Sequence, residues 1–239
     1  MRLTGYMPVI SHLLFFYLVV VEPVTGILQY RKLVERLKVD PGFKIPFYLR
    51  TIILEWVLVV VTIAALAPLI LNLPGLIGLQ LPKAGSTLLL LGLLTVAIIG
   101  IIAMVILARS AKGQEALASS EESALALLPN TRRERRIWVA LSITAGVCEE
   151  LLYRGFVILY LSFMIPSAGV ALPLLVSSII FGVAHAYQGC RGIIATGLLG
   201  AGLGGLYVFS GSLIPSMLIH ALVDLRVLWV RRPKVLQET

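Results

Sequence analysis

The chain has 239 residues, of which 59% are hydrophobic and only 13% are charged, and its mean hydropathy is +0.97. Soluble domains average about 45–50% apolar and about 25% charged residues. This composition excludes an ordinary soluble protein and indicates a polytopic membrane protein with one integral domain over residues 1–239. A net charge of +8 would favour nucleic-acid binding in a soluble chain, but here the basic residues lie between apolar segments. They indicate loops facing anionic lipid, with the bilayer and not nucleic acid as the partner.

Seven segments are long enough to cross a bilayer, since a spanning helix needs about 20 mostly apolar residues. The sequence therefore predicts an all-α transmembrane bundle with spans at residues 6–27, 47–71, 86–108, 137–165, 168–187, 193–209 and 213–230. Leu33, Val34 and Leu37 have the spacing of a short amphipathic helix at the interface, and an eighth segment formed from that stretch stays an alternative. Residues 110–136 are expected to form one long polar loop. Most lysines and arginines fall on the inside if the N-terminus is outside and the C-terminus is cytoplasmic.

Ionisable residues within the fourth span are the strongest functional signal. A charged group at membrane depth costs at least about 2.5–3.5 kcal/mol on insertion scales, so such groups mark either a satisfied structural cluster or a reactive site. Glu150 and Arg154 are four residues apart, share a helical face and can pair. Glu149 projects about 100° away from Glu150 and is left free to point elsewhere in the bundle.

Two later spans carry polar groups at the same one-turn spacing. Phe181 and His185 share a face of the fifth span, and His220 and Asp224 share a face of the seventh. The three helices are therefore expected to bring these groups together inside the bundle. The small residues of the sixth span indicate close helix packing and are Gly197, Gly200, Ala201, Gly204 and Gly205.

The residue types at these positions suit activation of a water molecule. A low-dielectric pocket disfavours the charged carboxylate of Glu149, which makes it a suitable general base. Histidines from other helices could position the water or donate to a developing oxyanion. The sequence has no His-Glu-x-x-His zinc pair, no Gly-x-Ser-x-Gly elbow and no Gly-x-Gly-Asp motif.

Other interpretations of the same residues stay open. Proton-coupled transporters also use buried acids and histidines, although no internal repeat is evident. A non-catalytic binding or immunity protein could retain the same polar cluster. His185, His220 and a carboxylate could hold a catalytic zinc ion. The remaining polar residues of the spans are expected to be interface-facing, singly paired or simply buried, and are His12, Glu22, Glu55 and Cys148.

The three motifs together resemble a known family. The patterns E-E-x-x-x-R at 149–154, F-x-x-x-H at 181–185 and H-x-x-x-D at 220–224 are similar to those of the CAAX protease and bacteriocin-processing (ABI) family, over residues 137–230. The resemblance implies an intramembrane glutamate-dependent endopeptidase without a metal or another cofactor, and some members cleave prenylated CAAX proteins. The roles that it implies are water activation by Glu149 with His185, support by Glu150 and Arg154, and an oxyanion side lined by His220 and Asp224.

One position departs from the family pattern. The third motif often ends in Asn, which can donate a hydrogen bond, whereas an ionised Asp only accepts one. Asp224 is therefore expected either to orient His220 or to stay protonated. The N-terminal half carries no motif that aligns, so the resemblance implies a membrane-associated protein or peptide substrate without identifying it. The expected location is the plasma membrane of a prokaryote.

Overall fold

The computed structural model describes residues 7–67, 75, 77–83, 85, 87–118 and 127–229. Within these ranges all regular structure is helical, which confirms the predicted all-α bundle. The basic tail predicted to be cytoplasmic lies outside the described residues, as do Arg2 and residues 119–126 of the predicted polar loop.

The described residues form eight helices. They are α1 (Val9–Leu37), α2 (Lys44–Ala65), α3 (Thr87–Arg109), α4 (Ala111–Ala118), α5 (residues 132–164), α6 (Ala171–Ala184), α7 (Gly189–Ser210) and α8 (Ile214–Leu225). Seven of them correspond in order to the predicted spans. The exception, α4, lies at the start of the segment that was expected to be a loop.

Helix α1 continues past Ile27, where the first predicted span ends, and is continuous from Val9 to Leu37. Pro23 lacks an N–H, and its ring disfavours regular α-helix against the preceding turn. The residues before it, Tyr17–Val21, form a wide π-helical turn that accommodates the proline without ending the helix. The amphipathic stretch is thus the end of α1 and not a separate helix. The 29 residues of α1 extend about 43 Å, well beyond the about 30 Å hydrocarbon core.

The first turn of α5 is fixed by an arrangement that resembles a capping box. Thr131 Oγ1 accepts from the backbone N–H of Glu134 at 3.1 Å, and Glu134 Oε2 accepts from the N–H of Asn130, the residue before the N-cap, at 2.7 Å. The first bond satisfies a donor that a helix N-terminus leaves without a partner. Lys44 of α2 lies 3.9 Å from the same Glu134 carboxylate. The start of α5 and its position against α2 are therefore both defined.

Helix α5 lies at the centre of the bundle, between α2 and α8, and α6 packs along α7. The larger apolar core surrounds the middle of α5, where Leu152 and Phe156 meet Leu18 of α1 and Phe181 of α6. Many large apolar side chains instead point outward; Val60 and Leu198, for example, are 64% and 69% exposed. So extensive an apolar surface is typical of a membrane-facing protein.

Four helices of the described residues are long and apolar enough to cross a membrane, judged by length and composition. Their spans are Val9–Leu37, Pro41–Ala65, Leu90–Arg109 and Ala186–Ser210. Helix α6 is equally apolar in character but shorter. These features describe an integral membrane protein in which the polar segments of α5 and α8 are enclosed by apolar helices.

Candidate active site

The polar segment of α5 is wound more widely than an α-helix. Glu150–Val157 forms π-helical turns that begin directly after Glu149. Such turns are rare and occur often at functional sites. They loosen the normal backbone ladder, and the carbonyl of Tyr153 accepts a hydrogen bond from Ser177 Oγ of α6 at 2.7 Å. The wide segment is therefore tied to its neighbour at the level of the site.

The expected pairing of Glu150 with Arg154 is present. Arg154 Nη1 donates to Glu150 Oε1 at 2.9 Å, and both side chains are almost completely buried. The guanidinium also lies over the ring of Phe181, 4.2 Å from its centroid, which adds a cation–π contact. Since a lone buried charge is very costly, each member of this pair depends on the other.

His220 reaches this pair from α8. Its Nδ1 lies 2.8 Å from Glu150 Oε1, and a carboxylate held ionised by Arg154 can only accept, so Nδ1 carries the proton. Close approach of α5 and α8 permits the contact, because a Cβ added to Gly146 would lie 2.9 Å from atoms of Ala221 and Met217. His220 is thus fixed in ring orientation and tautomer, with Nε2 directed away from Glu150.

His185 is presented at the end of α6. The helix ends at Ala184, and His185 leaves the α-helical conformation with φ −93° and ψ 18°. Its Nδ1 donates to the carbonyl of Phe181 at 2.8 Å. A carbonyl only accepts, so in the neutral ring Nε2 is the free acceptor. The Phe181 side chain packs against both imidazoles and forms an apolar floor.

Glu149 faces the two free imidazole nitrogens. Its Oε2 lies 3.9 Å from His185 Nε2 and 3.7 Å from His220 Nε2. The same oxygen is buried and has no hydrogen-bond partner among the described residues. The separations from the two imidazole nitrogens are too long for direct hydrogen bonds but match a gap bridged by one water, whose oxygen would lie about 2.8 Å from each neighbour. The arrangement is a polar gap with acceptors on more than one side.

Asp224 borders the same group from the C-terminal end of α8. Its Oδ2 is 3.8 Å from His220 Nε2, and its side chain is 32% exposed, the most open of the set. The Asp224 backbone carbonyl accepts from the indole N–H of Trp138 at 3.2 Å. Thus all six residues expected in the site lie together: Glu149, Glu150, Arg154, His185, His220 and Asp224.

Two acids in the N-terminal half were expected to be interface-facing or singly paired, and the structure brings both close to this site. Glu22 of α1 accepts a hydrogen bond from the hydroxyl of Tyr153 at 2.8 Å. Glu55 of α2 is close enough to Glu149, Glu22 and Asp224 for their charges to interact, and among the described residues its buried Oε2 has no hydrogen-bond partner. Neither has a spaced polar partner on its own helix, so helical periodicity gave no signal. Their membrane depth was the only available indication.

The other expectations for isolated polar and small residues agree with the structure except at Gly205. His12 is singly paired, with Nδ1 2.7 Å from the hydroxyl of Tyr160, and Cys148 is fully buried. The small-residue face of α7 packs on α6, because a Cβ at Gly204 or Gly200 would contact Leu174 or Ser178. Gly205 has no atom within 4 Å of that position, so it does not contribute to this packing.

Gly200 leaves room for the arginine of the site. A Cβ added there would lie 3.0 Å from Arg154 Nη2 and 3.0 Å from Phe181 Cδ1. We expect Gly200→Ala to destabilise the protein by about 1–3 kcal/mol, as overpacking does, and to lower its activity. Gly202→Ala is the matched control, since nothing lies within 4 Å of its Cβ position. That variant should be neutral or more stable by about 0.5–1 kcal/mol. Equal effects of the two substitutions on denaturation and activity would contradict this account of Gly200.

The alternative of a catalytic zinc site concerns His185, His220 and a carboxylate. Across the described ranges, no group of three or more His, Cys, Asp or Glu side chains is arranged to hold a metal ion. The chemistry available without one is proton transfer by a carboxylate and two imidazoles next to a fixed cation. Chelation experiments test whether zinc takes part in the reaction.

The fold and the site define a polytopic helical membrane protein with a buried centre of carboxylates and histidines. Residues 133–226 match the family model described as Rce1-like, Type II CAAX prenyl endopeptidase Rce1-like. This match confirms the predicted resemblance to the CAAX protease family over residues 133–226. Comparisons with curated proteins and with solved structures gave no match. The matched segment runs from the first turn of α5 to the residue after α8, and its family is one of membrane proteases.

Proposed function

We propose that this protein is an intramembrane endopeptidase in which Glu149 activates a water molecule to cleave a peptide bond. The observation that supports it most strongly is the buried Glu149 Oε2, which has no hydrogen-bond partner among the described residues and faces His185 Nε2 and His220 Nε2 at 3.9 and 3.7 Å. A carboxylate in these surroundings does not form a hydrogen-bonded structural ion pair as Glu150 does with Arg154. Positioning and deprotonating a water is the task that its geometry suits.

The water has two hydrogens to donate, and the polar gap beside Glu149 offers two acceptors. Glu149 Oε2 and the free Nε2 of His185 would each receive one, which directs a lone pair of the water oxygen toward the substrate carbonyl carbon. As the oxygen–carbon bond forms, one proton passes to Glu149 and the carbonyl electrons move onto the carbonyl oxygen. Collapse of this intermediate breaks the carbon–nitrogen bond, and Glu149 returns its proton to the leaving nitrogen. The products are a carboxylic acid and an amine, and Glu149 is again a carboxylate.

His220 is the proposed donor to the carbonyl oxygen. Its Nδ1–H is committed to Glu150, so only Nε2 can face the substrate. In the doubly protonated ring Nε2 is also a donor, and the adjacent carboxylates of Glu149 and Asp224, at 3.7 and 3.8 Å, favour that charged form. Asp224 then acts by stabilising the imidazolium, a role that requires only acceptance. This accounts for an Asp at a position where the family often has Asn.

The proposed substrate is a membrane-associated protein or peptide, including prenylated CAAX-type sequences. The most exposed site residue, Asp224, lies near the end of α8, and His185 lies near the start of α7. In the proposed topology the N-terminus is outside, so the end of α8 and the start of α7 face the cytoplasm. Prenylated proteins would approach from that side of a prokaryotic plasma membrane.

A panel of peptides tests the proposal. Purified protein in detergent should cleave at least one member of a matched panel of prenylated and unprenylated peptides, and mass spectrometry of the products locates the bond. Faster cleavage of the prenylated member of a pair would identify lipid recognition. Failure to cleave any peptide by a folded preparation would favour a non-catalytic binding protein or a proton-coupled transporter.

Chelation separates the glutamate mechanism from zinc catalysis in the same assay. Treatment with EDTA or phenanthroline is expected to leave the cleavage rate unchanged within about twofold, because the proposed steps use only side chains and water. A loss of activity that added zinc restores would contradict the proposal and support a zinc site at His185 and His220.

A further inference from the structure

The N-terminal helix contributes a carboxylate to the support of the site, although it lies outside the family segment 133–226. Glu22 follows the wide turn Tyr17–Val21 of α1 and accepts a hydrogen bond from Tyr153 Oη at 2.8 Å. Tyr153 is only 1% exposed, so its hydroxyl has little access to water and depends on this partner.

Tyr153 is held at its backbone as well as at its hydroxyl. Its carbonyl accepts from Ser177 Oγ at 2.7 Å, within the π-helical part of α5. Its ring meets Phe181 edge to face, with centroids 5.1 Å apart and planes at 72°. Two hydrogen bonds from different helices therefore determine where the Tyr153 ring presses on Phe181.

Phe181 transmits this placement to the polar groups. Arg154 lies over its ring at 4.2 Å from the centroid, and the ring centroid of His185 is 4.7 Å away. Its backbone carbonyl is the acceptor that fixes His185 Nδ1. A shift of the phenyl ring by part of an ångström would change the contacts of both functional side chains, because a packed core does not deform freely.

We propose that Glu22 is a positioning residue, which holds Tyr153 against Phe181 and thereby sets His185 and Arg154 in their working orientation. The inference rests on the proposed peptidase function, and it adds a contribution of the N-terminal half that the three motifs do not contain. Glu22 touches neither the water site nor the substrate carbonyl in this scheme. Its direct contact in this scheme is the Tyr153 hydroxyl.

The test is a double-mutant cycle with Glu22→Ala and Tyr153→Phe, measured as kcat and KM on the best peptide of the panel. Each single variant is expected to lower kcat about tenfold, equivalent to about 1.4 kcal/mol of barrier, and to change KM less than twofold. The double variant should be no worse than the more damaging single one, since both remove the same hydrogen bond. Glu22→Gln keeps an acceptor oxygen of the same reach and should recover most of the lost kcat.

A purely structural contact gives a different pattern. It would lower the unfolding midpoint while leaving the kcat of folded protein unchanged well below that midpoint. Losses in kcat that multiply in the double variant would also overturn the proposal. Glu35→Ala is the matched control, because Glu35 is an exposed carboxylate on the same helix, and its kcat should equal that of the parent. Tyr153→Phe removes a single oxygen, so the test does not depend on the folding of Glu22→Ala.

Modification of His185 by diethyl pyrocarbonate gives a second readout that needs no peptidase activity. Peptide mapping should show His185 reacting at least about threefold faster in Tyr153→Phe and in Glu22→Ala than in the parent, since the ring loses its fixed contact. An unchanged rate would overturn the positioning role even if the protein cleaves no peptide. The modification rate therefore distinguishes failure of the peptidase proposal from failure of the positioning role of Glu22.

Discussion

Glu149→Gln is expected to abolish peptide cleavage, with a loss in kcat of at least about a thousandfold, in the upper range for removal of a general base. The amide has the size of the carboxylate and can still accept a hydrogen bond, but it cannot take a proton from water. Its NH₂ group would also donate toward the imidazole nitrogens that now face Oε2 at 3.7 and 3.9 Å. The water would lose both its base and its orientation.

The fold of that variant should be intact. Among the described residues Glu149 Oε2 has no hydrogen-bond partner, and in the variant His220 keeps its hydrogen bond to Glu150, so the unfolding midpoint should stay the same or rise. Glu35→Gln on the exposed face of α1 makes the same chemical change outside the site and should keep full activity. A folded Glu149→Gln protein with more than a tenth of the parental rate would contradict the assigned base.

Arg154→Ala is expected to have the largest effect on stability. The substitution leaves the buried Glu150 without its guanidinium partner, next to His220, and removing one member of a buried pair typically costs about 3–5 kcal/mol. It also removes the guanidinium from the face of Phe181. We expect denaturation in mixed micelles to show this loss, together with loss of cleavage by whatever protein remains folded.

Two further variants separate charge from geometry at this pair. Arg154→Lys keeps the charge but not the planar fork, so its stability should lie between those of the parent and Arg154→Ala. Glu150→Gln combined with Arg154→Met leaves no unpaired charge and should be less destabilised than Arg154→Ala alone, although inactive. If Arg154→Ala folded with parental stability and cleaved at the full rate, the Glu150–Arg154 pair would be incidental.

The C-terminal half could be predicted from the sequence because its information is local. Helical spacing alone pairs Glu150 with Arg154 and sets Glu149 apart, and both features are present in the structure. Residues four apart, Phe181 with His185 and His220 with Asp224, then mark the faces that meet. These relations survive folding because each pair is only about one helical turn apart in the chain.

The N-terminal contribution could not be predicted in the same way. Glu22 precedes a proline and suggests a helix end, whereas the preceding π-helical turn lets α1 continue to Leu37. Its partner, Tyr153, is 131 positions away in the chain, so no periodicity connects them. Gly200 is a similar case. Its sequence context indicates helix packing, but only the packed bundle shows that it makes room for Arg154.

The most direct test of the central claim compares purified parent and Glu149→Gln proteins on one peptide that the parent cleaves, under single-turnover conditions and with phenanthroline present. The account predicts full cleavage by the parent, none by the variant over the same time, and equal unfolding midpoints or a higher one for the variant. Cleavage by folded Glu149→Gln, or loss of parental activity to the chelator with recovery on adding zinc, would contradict it.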